Sequence, residues 1–255
     1  MELPLNRFKR AIRAGTQQIG IWCSLPGGTP AEVLAGAGYD WILFDTEHSP
    51  GDPGTILEQL QASAPYPVSA VVRPTTNDAA LIKRLLDVGA QTLLIPYVQN
   101  AEEAHAASRA MAYPPAGIRG VSGWTRANRF GRVPGYAERA SQELCLLVQV
   151  ETCEALGEIE AIAAVEGVDG IFVGPADLAA SMGYAGQPNH PKVEAAVEDA
   201  IHRIRGAGKP AGILTLDNVF AKRCIEMGSL FTAVGTDGSL LSRAADNLRA
   251  VFADN

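Results

Sequence analysis

The sequence predicts an α/β protein folded as one (β/α)₈ barrel, or TIM barrel, over residues 1–255. Eight short β-rich runs alternate with helical stretches, and several runs are apolar throughout, which is typical of parallel strands covered on both faces. A length of 255 residues suits a single barrel, and no linker-like segment divides the chain. Helical stretches that precede strands end in glycine, as in AGAGYD, DVGAQ and EMGS, which supplies the usual C-cap residue.

The predicted elements follow one another in the order that a barrel requires. The strands are IGIWCS (19–24), DWILFD (40–45), PVSAVVR (67–73), AQTLLIP (90–96), LCLLVQVE (144–151), VDGIFVG (168–174), PAGILT (210–215) and LFTAVGT (230–236). A charged amphipathic stretch at the N-terminus is predicted to be a helix that closes the bottom of the barrel, and DGSLLSRAADNLRAVFA is predicted to be the C-terminal helix.

One segment departs from this alternation. Residues 113–141 are too long for a simple connection and are rich in Gly, Pro, Arg and aromatic residues. Long connections in compact domains are usually functional or mobile, and this one is long enough to reach back toward the mouth of the barrel.

The composition excludes several classes of partner. A formal net charge of -7 disfavours nucleic acid and anionic membranes as main partners. No apolar run approaches the roughly 20 residues of a membrane span. The four cysteines show no CxxC spacing, which indicates reduced thiols and a cytoplasmic protein.

Ionisable side chains accumulate where the predicted strands end, which is the catalytic edge of such barrels. Asp45, Glu47 and His48 follow the second strand, and Arg73 ends the third. Arg73 can bind a carboxylate or stabilise an enolate oxygen, or it can simply pair with Asp45 or Glu47. His48 can transfer protons near neutral pH, although a lone histidine is more often structural.

Two carboxylates end neighbouring strands. Glu151 ends the fifth strand and Asp177 follows the sixth, in VGPADL. Two oxygen ligands suit a hard divalent ion such as Mg²⁺ or Mn²⁺, which retains positions for water and substrate. An equally good interpretation of the sequence alone is that Glu151 begins a helix and Asp177 caps one.

The lysines argue against a Schiff base, because that mechanism needs a lysine on a strand interior or end. Four of the five lysines lie in helical stretches, and Lys209 precedes the seventh strand at the opposite end of the barrel.

At these residues the sequence resembles the metal-dependent pyruvate aldolases of the 4-hydroxy-2-oxoheptanedioate/2-dehydro-3-deoxyglucarate aldolase family. The matching stretches, in family order, are AGAGYDWILFDTEHSP, VVRPTTNDAALIKRLLDVGAQTLLIPYVQNAEEA, YPPAGIRGVSG, QVET and VGPADLAASMG. Departures occur at Thr46, where the family often has glycine, and in WTRANRFGR, so the resemblance does not name the acceptor aldehyde.

The resemblance implies a role for each matching residue. Glu151 and Asp177 would bind Mg²⁺, Mn²⁺ or Co²⁺, with Gln149 beside them and no organic cofactor. Arg73 would contact the keto oxygen, and His48, paired with Asp45 or Asp87, would serve acid–base catalysis. The remaining pocket residues would receive the pyruvate carboxylate and line the site: Gly174, Pro175, Ala176 and Leu214.

The implied reaction is aldol cleavage of 4-hydroxy-2-oxo acids to pyruvate, or a close 2-oxo acid such as hydroxypyruvate, plus an aldehyde, in aromatic or sugar acid catabolism. The bound ion would act as a Lewis acid that stabilises an enolate. The implied assembly is a hexamer that exchanges C-terminal helices between subunits. Two alternatives stay open: a Claisen-type acyl-CoA lyase or decarboxylase on the same site, and a catalytically silent barrel.

Overall fold

A computed structural model describes residues 1–253 and contains one closed barrel of eight parallel strands in the order β1 to β8. The strands are β1 Gln18–Cys23, β2 Trp41–Asp45, β3 Ser69–Arg73, β4 Thr92–Ile95, β5 Cys145–Val150, β6 Val168–Val173, β7 Ala211–Leu214 and β8 Ser229–Thr236. The predicted (β/α)₈ fold class is therefore confirmed.

Helices lie between the strands and cover the outside of the barrel. They are α1 Arg7–Arg13, α2 Gly28–Ala35, α3 Pro53–Ser63, α4 Ala79–Asp87, α5 Ala101–Met111, α6 Tyr136–Glu143, α7 Cys153–Gly157, α8 Ile159–Ala163, α9 Pro175–Ser181, α10 Pro191–Gly206, α11 Asn218–Met227 and α12 Asp237–Ala250. Within residues 1–253, every helix is too short or too polar to be a membrane span.

The interior of the barrel is filled by aromatic and aliphatic side chains, and α1 closes its lower end as predicted. Phe8 of α1 packs edge-on against Trp41 and Phe231, with ring centroids 5.8 and 5.7 Å apart. Space for these rings comes from glycine, because a Cβ atom on Gly20 or Gly212 would lie 2.1 Å from Trp41 or Phe231. The lower end is therefore a packed core, and the open end is the one where the strands terminate.

The long connection lies at the lower end of the barrel. Its Ala127 amide donates to the Asp87 carbonyl at 3.2 Å, and the Arg126 guanidinium donates to the Val88 carbonyl at 2.9 Å. Asp87 is the last residue of α4 and Val88 follows it, so both carbonyl groups lie just before β4 begins. The sequence allowed this segment to reach the mouth, but the structure places it at the opposite end because it follows the lower end of α5. Its last part forms α6.

The C-terminal helix α12 projects from the barrel with most of its surface exposed. Asp237 is its one buried residue, and apolar side chains on and just after it are exposed: Leu240, Leu241, Leu248, Val251 and Phe252. An exposed apolar face of this kind is suited to contact with another protein surface. Exchange of this helix between subunits stays a prediction.

We expect Gly212→Ala to destabilise the protein by about 1–3 kcal/mol, because the new methyl group overlaps the buried Phe231 ring. Urea unfolding of the variant measures the loss. Gly206→Ala is the matched control, since outside the adjacent helix backbone no heavy atom of residues 1–253 lies within 4 Å of its added Cβ, and alanine favours the helix. Equal stability of the two variants would contradict the packing of the barrel interior described above.

Candidate active site at the carboxyl ends of the strands

A cavity of about 810 Å³ opens at the carboxyl ends of the strands. The structure brings nine of the sequence-predicted site residues to its wall: His48, Arg73, Gln149, Glu151, Gly174, Pro175, Ala176, Asp177 and Leu214. Asp45 lies beneath this wall, and Asp87 is elsewhere. Closure of the barrel is what gathers groups that are up to 166 residues apart in the chain, from His48 to Leu214.

Arg73 and Asp45 form the central ion pair of the site. They are register partners at the ends of β3 and β2, and the Arg73 Nε and Nη2 atoms donate to the two Asp45 oxygens at 2.9 and 2.7 Å. The guanidinium also lies 5.1 Å above the Trp22 ring, whose Nε1 donates to Asp45. Burial alone would raise the pKa of Asp45. The hydrogen bonds and the charge of Arg73 outweigh this effect, so the pKa of Asp45 is lowered.

Glu47 adds a second carboxylate to this guanidinium. Its Oε2 atom lies 2.7 Å from the Arg73 Nη1 atom, as an ion pair without hydrogen-bond alignment. The same oxygen is 3.8 Å from the His48 Nε2 atom, and the His48 side chain is 67% exposed. Burial raises the pKa of Glu47 despite the opposing charges of Arg73 and His48. The carboxylate nearest to His48 is therefore that of Glu47.

The predicted partners of His48 are engaged elsewhere within this chain. Both oxygens of Asp45 accept from Arg73. Asp87 ends α4 at the lower end of the barrel, where its Oδ1 atom accepts from the Arg119 Nη2 atom at 2.7 Å. The fold thus does not bring Asp87 to His48 of the same chain, since α4 runs away from the mouth.

Glu151 is a buried carboxylate that forms no ion pair with a side chain of residues 1–253. Its residue is 2% exposed, and its oxygens accept from the Tyr97 amide at 2.8 Å and the Gln149 Nε2 atom at 2.5 Å. Burial raises the pKa of Glu151 to about 7, because these hydrogen bonds lower it less, and the charges of Asp177 and Glu47 raise it further. The charge of Arg73 acts on Glu151 without an ion pair between the two side chains.

Gly174 allows Glu151 to sit against the start of α9. A Cβ atom on Gly174 would lie 2.5 Å from the Glu151 Oε2 atom and 3.0 Å from the Gln149 Nε2 atom. Any larger residue would therefore displace the carboxylate. Gly174 is also the N-cap of α9, which carries Pro175, Ala176 and Asp177 in its first turn. This close packing places the first turn of α9 beside Glu151.

The donor set fits a hard divalent cation. Within residues 1–253, no three His, Cys, Asp or Glu side chains form a group that could hold a metal alone. Glu151 and Asp177 supply two carboxylates on one cavity wall, and the buried Gln149 Oε1 atom has no hydrogen-bond partner. Ions such as Mg²⁺ are commonly held by one or two carboxylates plus water and substrate oxygens. The residues present are compatible with such an ion.

Three features of the cavity escaped the sequence analysis. The rings of Trp22 and Phe172, with centroids 5.5 Å apart, form its apolar floor, and Arg243 of α12 lines its outer wall. Both rings lie near the ends of β1 and β6, so their strand-end positions were the available signal. Arg243 carries no such signal, since it lies two turns along a helix.

A closed parallel barrel with acidic groups and a buried arginine in a cavity at the carboxyl ends of its strands has the arrangement of a TIM-barrel enzyme. Residues 18–244 match the HpcH/HpaI aldolase/citrate lyase family model, and the chain belongs to that family. It is 66% identical to a pyruvate aldolase of Rhizobium etli over 99% of this chain and 100% of that protein. It is 57% identical to a 4-hydroxy-2-oxo-heptane-1,7-dioate aldolase of Escherichia coli, over 97% of this chain and 95% of that one.

The fold comparison agrees. The crystal structure of an HpcH/HpaI aldolase/citrate lyase family protein from Burkholderia cenocepacia superposes with a TM-score of 0.93 at 39% identity, covering 97% of this chain and 100% of that one. The family resemblance inferred from the sequence motifs is therefore confirmed.

In metal-free protein, we expect Glu151 to lower stability as pH rises from about 4.5 to about 7. Glu151 loses its proton near pH 4.5 in the unfolded state but only near pH 7 in the folded state. Its contribution to the free energy of unfolding is therefore fully present below the unfolded-state pKa. Up to about 3 kcal/mol of that contribution is lost as pH rises through the folded-state pKa. Urea unfolding with EDTA across this range should show a shallower decline in Glu151→Gln. The exposed control Glu154→Gln should keep the wild-type slope. An identical slope in all three proteins would refute the raised pKa.

Proposed function

We propose that the chain catalyses reversible aldol cleavage of 4-hydroxy-2-oxo acids to pyruvate, or a close 2-oxo acid such as hydroxypyruvate, and an aldehyde. One observation carries this proposal: Glu151, Asp177, Arg73 and His48 line one cavity at the carboxyl ends of the strands. The aldolase names of the relatives support the same carbon–carbon lyase chemistry and give less support to a Claisen-type reaction.

Glu151 and Asp177 are the residues that would hold a divalent ion, Mg²⁺, Mn²⁺ or Co²⁺, with Gln149 oriented beside them. When bound there, such an ion supplies Lewis-acid polarisation of a 2-oxo acid. The buried carboxylate of Glu151, which has no ion-pair partner among residues 1–253, supports this assignment, because an ion would offset the charge that burial penalises.

Arg73 would bind the keto oxygen and stabilise negative charge that develops on it. Asp45 accepts from two of its five N–H donors and fixes the plane of the guanidinium, which also rests on Trp22. The donors that face the cavity are therefore oriented before substrate arrives, and preorganised charge of this kind is effective in catalysis.

His48 would transfer the proton of the substrate methyl group, either directly or through a water molecule. Its exposed imidazole lies on the cavity wall and is free to move toward a bound 2-oxo acid. Glu47 would orient it, because Arg73 engages the predicted partner Asp45 and the predicted partner Asp87 lies at the lower end of the same chain. The orientation by Glu47 is supported by the 3.8 Å distance between the Oε2 and Nε2 atoms.

The first turn of α9 would receive the substrate carboxylate. Pro175 has no amide hydrogen, so the Ala176 amide is the donor that follows Gly174 in this turn. Gly174 keeps the backbone open to a ligand, and Leu214 contributes an apolar contact on the opposite wall. Together these groups would orient the 2-oxo acid between α9 and Arg73.

The assembly proposed for the enzyme is a cytoplasmic homo-oligomer, in its finer form a hexamer that exchanges α12. Support comes from the exposed apolar residues of α12, among them Leu241 and Leu248, which water alone covers in the single chain. The four cysteines are unpaired, which suits a reducing compartment. The partners proposed are small molecules, a 2-oxo acid and an aldehyde.

We expect the exchange of pyruvate methyl protons into D₂O, followed by NMR, to require a divalent ion and Glu151. Mutation of a residue that hydrogen-bonds to a metal ligand typically lowers metal affinity or activity by about 10–100-fold. Loss of the ligand itself in Glu151→Ala should therefore lower the exchange rate by more than about 100-fold. Glu154→Ala, a change at an exposed glutamate, should retain wild-type exchange. Proton exchange that persists after rigorous chelation would contradict the metal mechanism. A wild-type rate of proton exchange in Glu151→Ala would contradict the assignment of Glu151 as a ligand.

We expect His48→Ala to lose about 100- to 10,000-fold of aldol activity across the pH range, because a positioned proton-transfer group contributes that much. Mn²⁺ binding, measured by titration calorimetry, should stay at the wild-type affinity. His105→Ala, on the exposed surface of α5, is the matched control. Unchanged activity in His48→Ala would assign proton transfer to another group.

A further inference from the structure

The loop that follows β4 contains a residue in a conformation that its side chain does not favour. Tyr97 has a φ of +55°, a region that few non-glycine residues occupy. We propose that Tyr97 is a positioning residue for the divalent-ion site: its left-handed backbone turns its amide toward Glu151 and thereby fixes how that carboxylate faces the cavity. This inference rests on the proposed function, because it takes Glu151 as a ligand of the ion.

One extra residue at the end of β4 frees the Tyr97 amide from the sheet. The Cys145 amide donates to the Gln91 carbonyl at 2.8 Å, which sets the phase of the hydrogen bonds between β4 and β5. Because a parallel ladder repeats every two residues, its regular continuation would give the Gln149 carbonyl to the Tyr97 amide. The Val98 amide donates to that carbonyl instead, at 3.0 Å. Tyr97 is therefore the additional residue of a β-bulge, a feature that redirects groups beside active sites.

The residues on either side of Tyr97 hold the bulge in place. Pro96 has no amide hydrogen to give to the ladder, and proline within a sheet is confined to edges, first residues and bulges. Pro96 and Val98 are both buried, whereas the Tyr97 side chain between them is exposed. Packing of the two neighbours thus determines the path of the backbone. An unfavourable φ persists only where the surrounding structure imposes it in this way.

The bulge completes a pair of hydrogen bonds to Glu151, one on each carboxylate oxygen. The Tyr97 amide donates to the Oε1 atom at 2.8 Å, and the Gln149 Nε2 atom donates to the Oε2 atom at 2.5 Å. Gly174 packs against the Oε2 side, where a Cβ atom would lie 2.5 Å from that oxygen. Among residues 1–253, no other group donates to Oε1, so a regular strand end would leave this oxygen free to turn. Carboxylates that bind metal ions depend on partners of this kind for their orientation.

The direct test removes one hydrogen-bond donor and leaves every side chain in place. An ester replaces the Pro96–Tyr97 peptide bond through incorporation of the α-hydroxy analogue of tyrosine, and titration calorimetry measures the affinity for Mn²⁺. We expect the affinity to fall by about 10–100-fold, the range for groups that hydrogen-bond to a metal ligand.

An ester at Phe130 is the matched control. Phe130 also has a φ of +55°, and its amide donates to the Thr125 carbonyl at 2.7 Å in the long connection at the lower end of the barrel. The Phe130 ester should lose a hydrogen bond in the same way and retain the wild-type affinity for Mn²⁺. Thermal unfolding of both esters checks that each protein is folded.

Substitutions of the Tyr97 side chain test the backbone conformation separately. Tyr97→Asn and Tyr97→Val both remove the ring, but asparagine tolerates a positive φ and β-branched valine does not. We expect Tyr97→Asn to bind Mn²⁺ with the wild-type affinity and Tyr97→Val to bind it about 10-fold less tightly. Phe130→Val should lower the midpoint of thermal unfolding, as Tyr97→Val does, without changing the Mn²⁺ affinity. This comparison also decides the inference if the Tyr97 ester does not fold.

The outcomes separate this inference from the function on which it rests. Wild-type affinity in the Tyr97 ester, an equal loss in the Phe130 ester, or equal affinities in Tyr97→Asn and Tyr97→Val would each overturn the positioning role and leave the aldolase proposal intact. Absence of Mn²⁺ binding in the wild-type protein, or wild-type binding in Glu151→Ala, would overturn the ligand assignment and this inference with it.

Discussion

The ion pair between Arg73 and Asp45 organises the mouth of the barrel. It joins the last residues of β2 and β3, is buried, and rests on the Trp22 ring of β1, so three consecutive strands meet at one guanidinium. The Arg73 carbonyl also accepts from the Thr46 amide and hydroxyl, at 3.0 and 2.7 Å. Removing one partner of such a buried pair costs about 3–5 kcal/mol, because the other charge is left uncompensated. The loop that carries Glu47 and His48 depends on this anchor.

The charges around this pair do not balance. Asp45 and Glu47 form ion pairs with Arg73, whereas Glu151 and Asp177 line the cavity without an ion pair to any side chain of residues 1–253. Because burial penalises the charged form of a carboxylate, the raised pKa of about 7 keeps Glu151 partly protonated near neutral pH. Proton binding and metal binding at Glu151 are thus expected to compete, and each would be sensitive to the other.

The two ends of the barrel have separate structures. At the lower end, α1 fills the opening, the long connection packs against the end of α4, and Asp87 pairs with Arg119, whose guanidinium lies 4.4 Å above the Tyr113 ring. At the upper end, the cavity stays open between polar strand ends and α12. An acid–base pair between His48 and Asp87 of one chain would have to span this separation, and Glu47 lies far nearer to His48.

The fold and most of the candidate site follow from local properties of the chain. Alternating apolar runs and helices with glycine caps determine the eight strands, and strand-end positions identify Arg73, Glu151 and Asp177, because parallel strands expose their carboxyl ends at one edge. Partner choice does not follow in this way. It depends on distances between elements that are far apart in sequence. These distances determine whether Arg73 pairs with Asp45, and whether Glu47 or Asp87 approaches His48. They also determine whether Arg243 reaches the cavity. Only the closed barrel, with α12 held by Asp237, decides those distances.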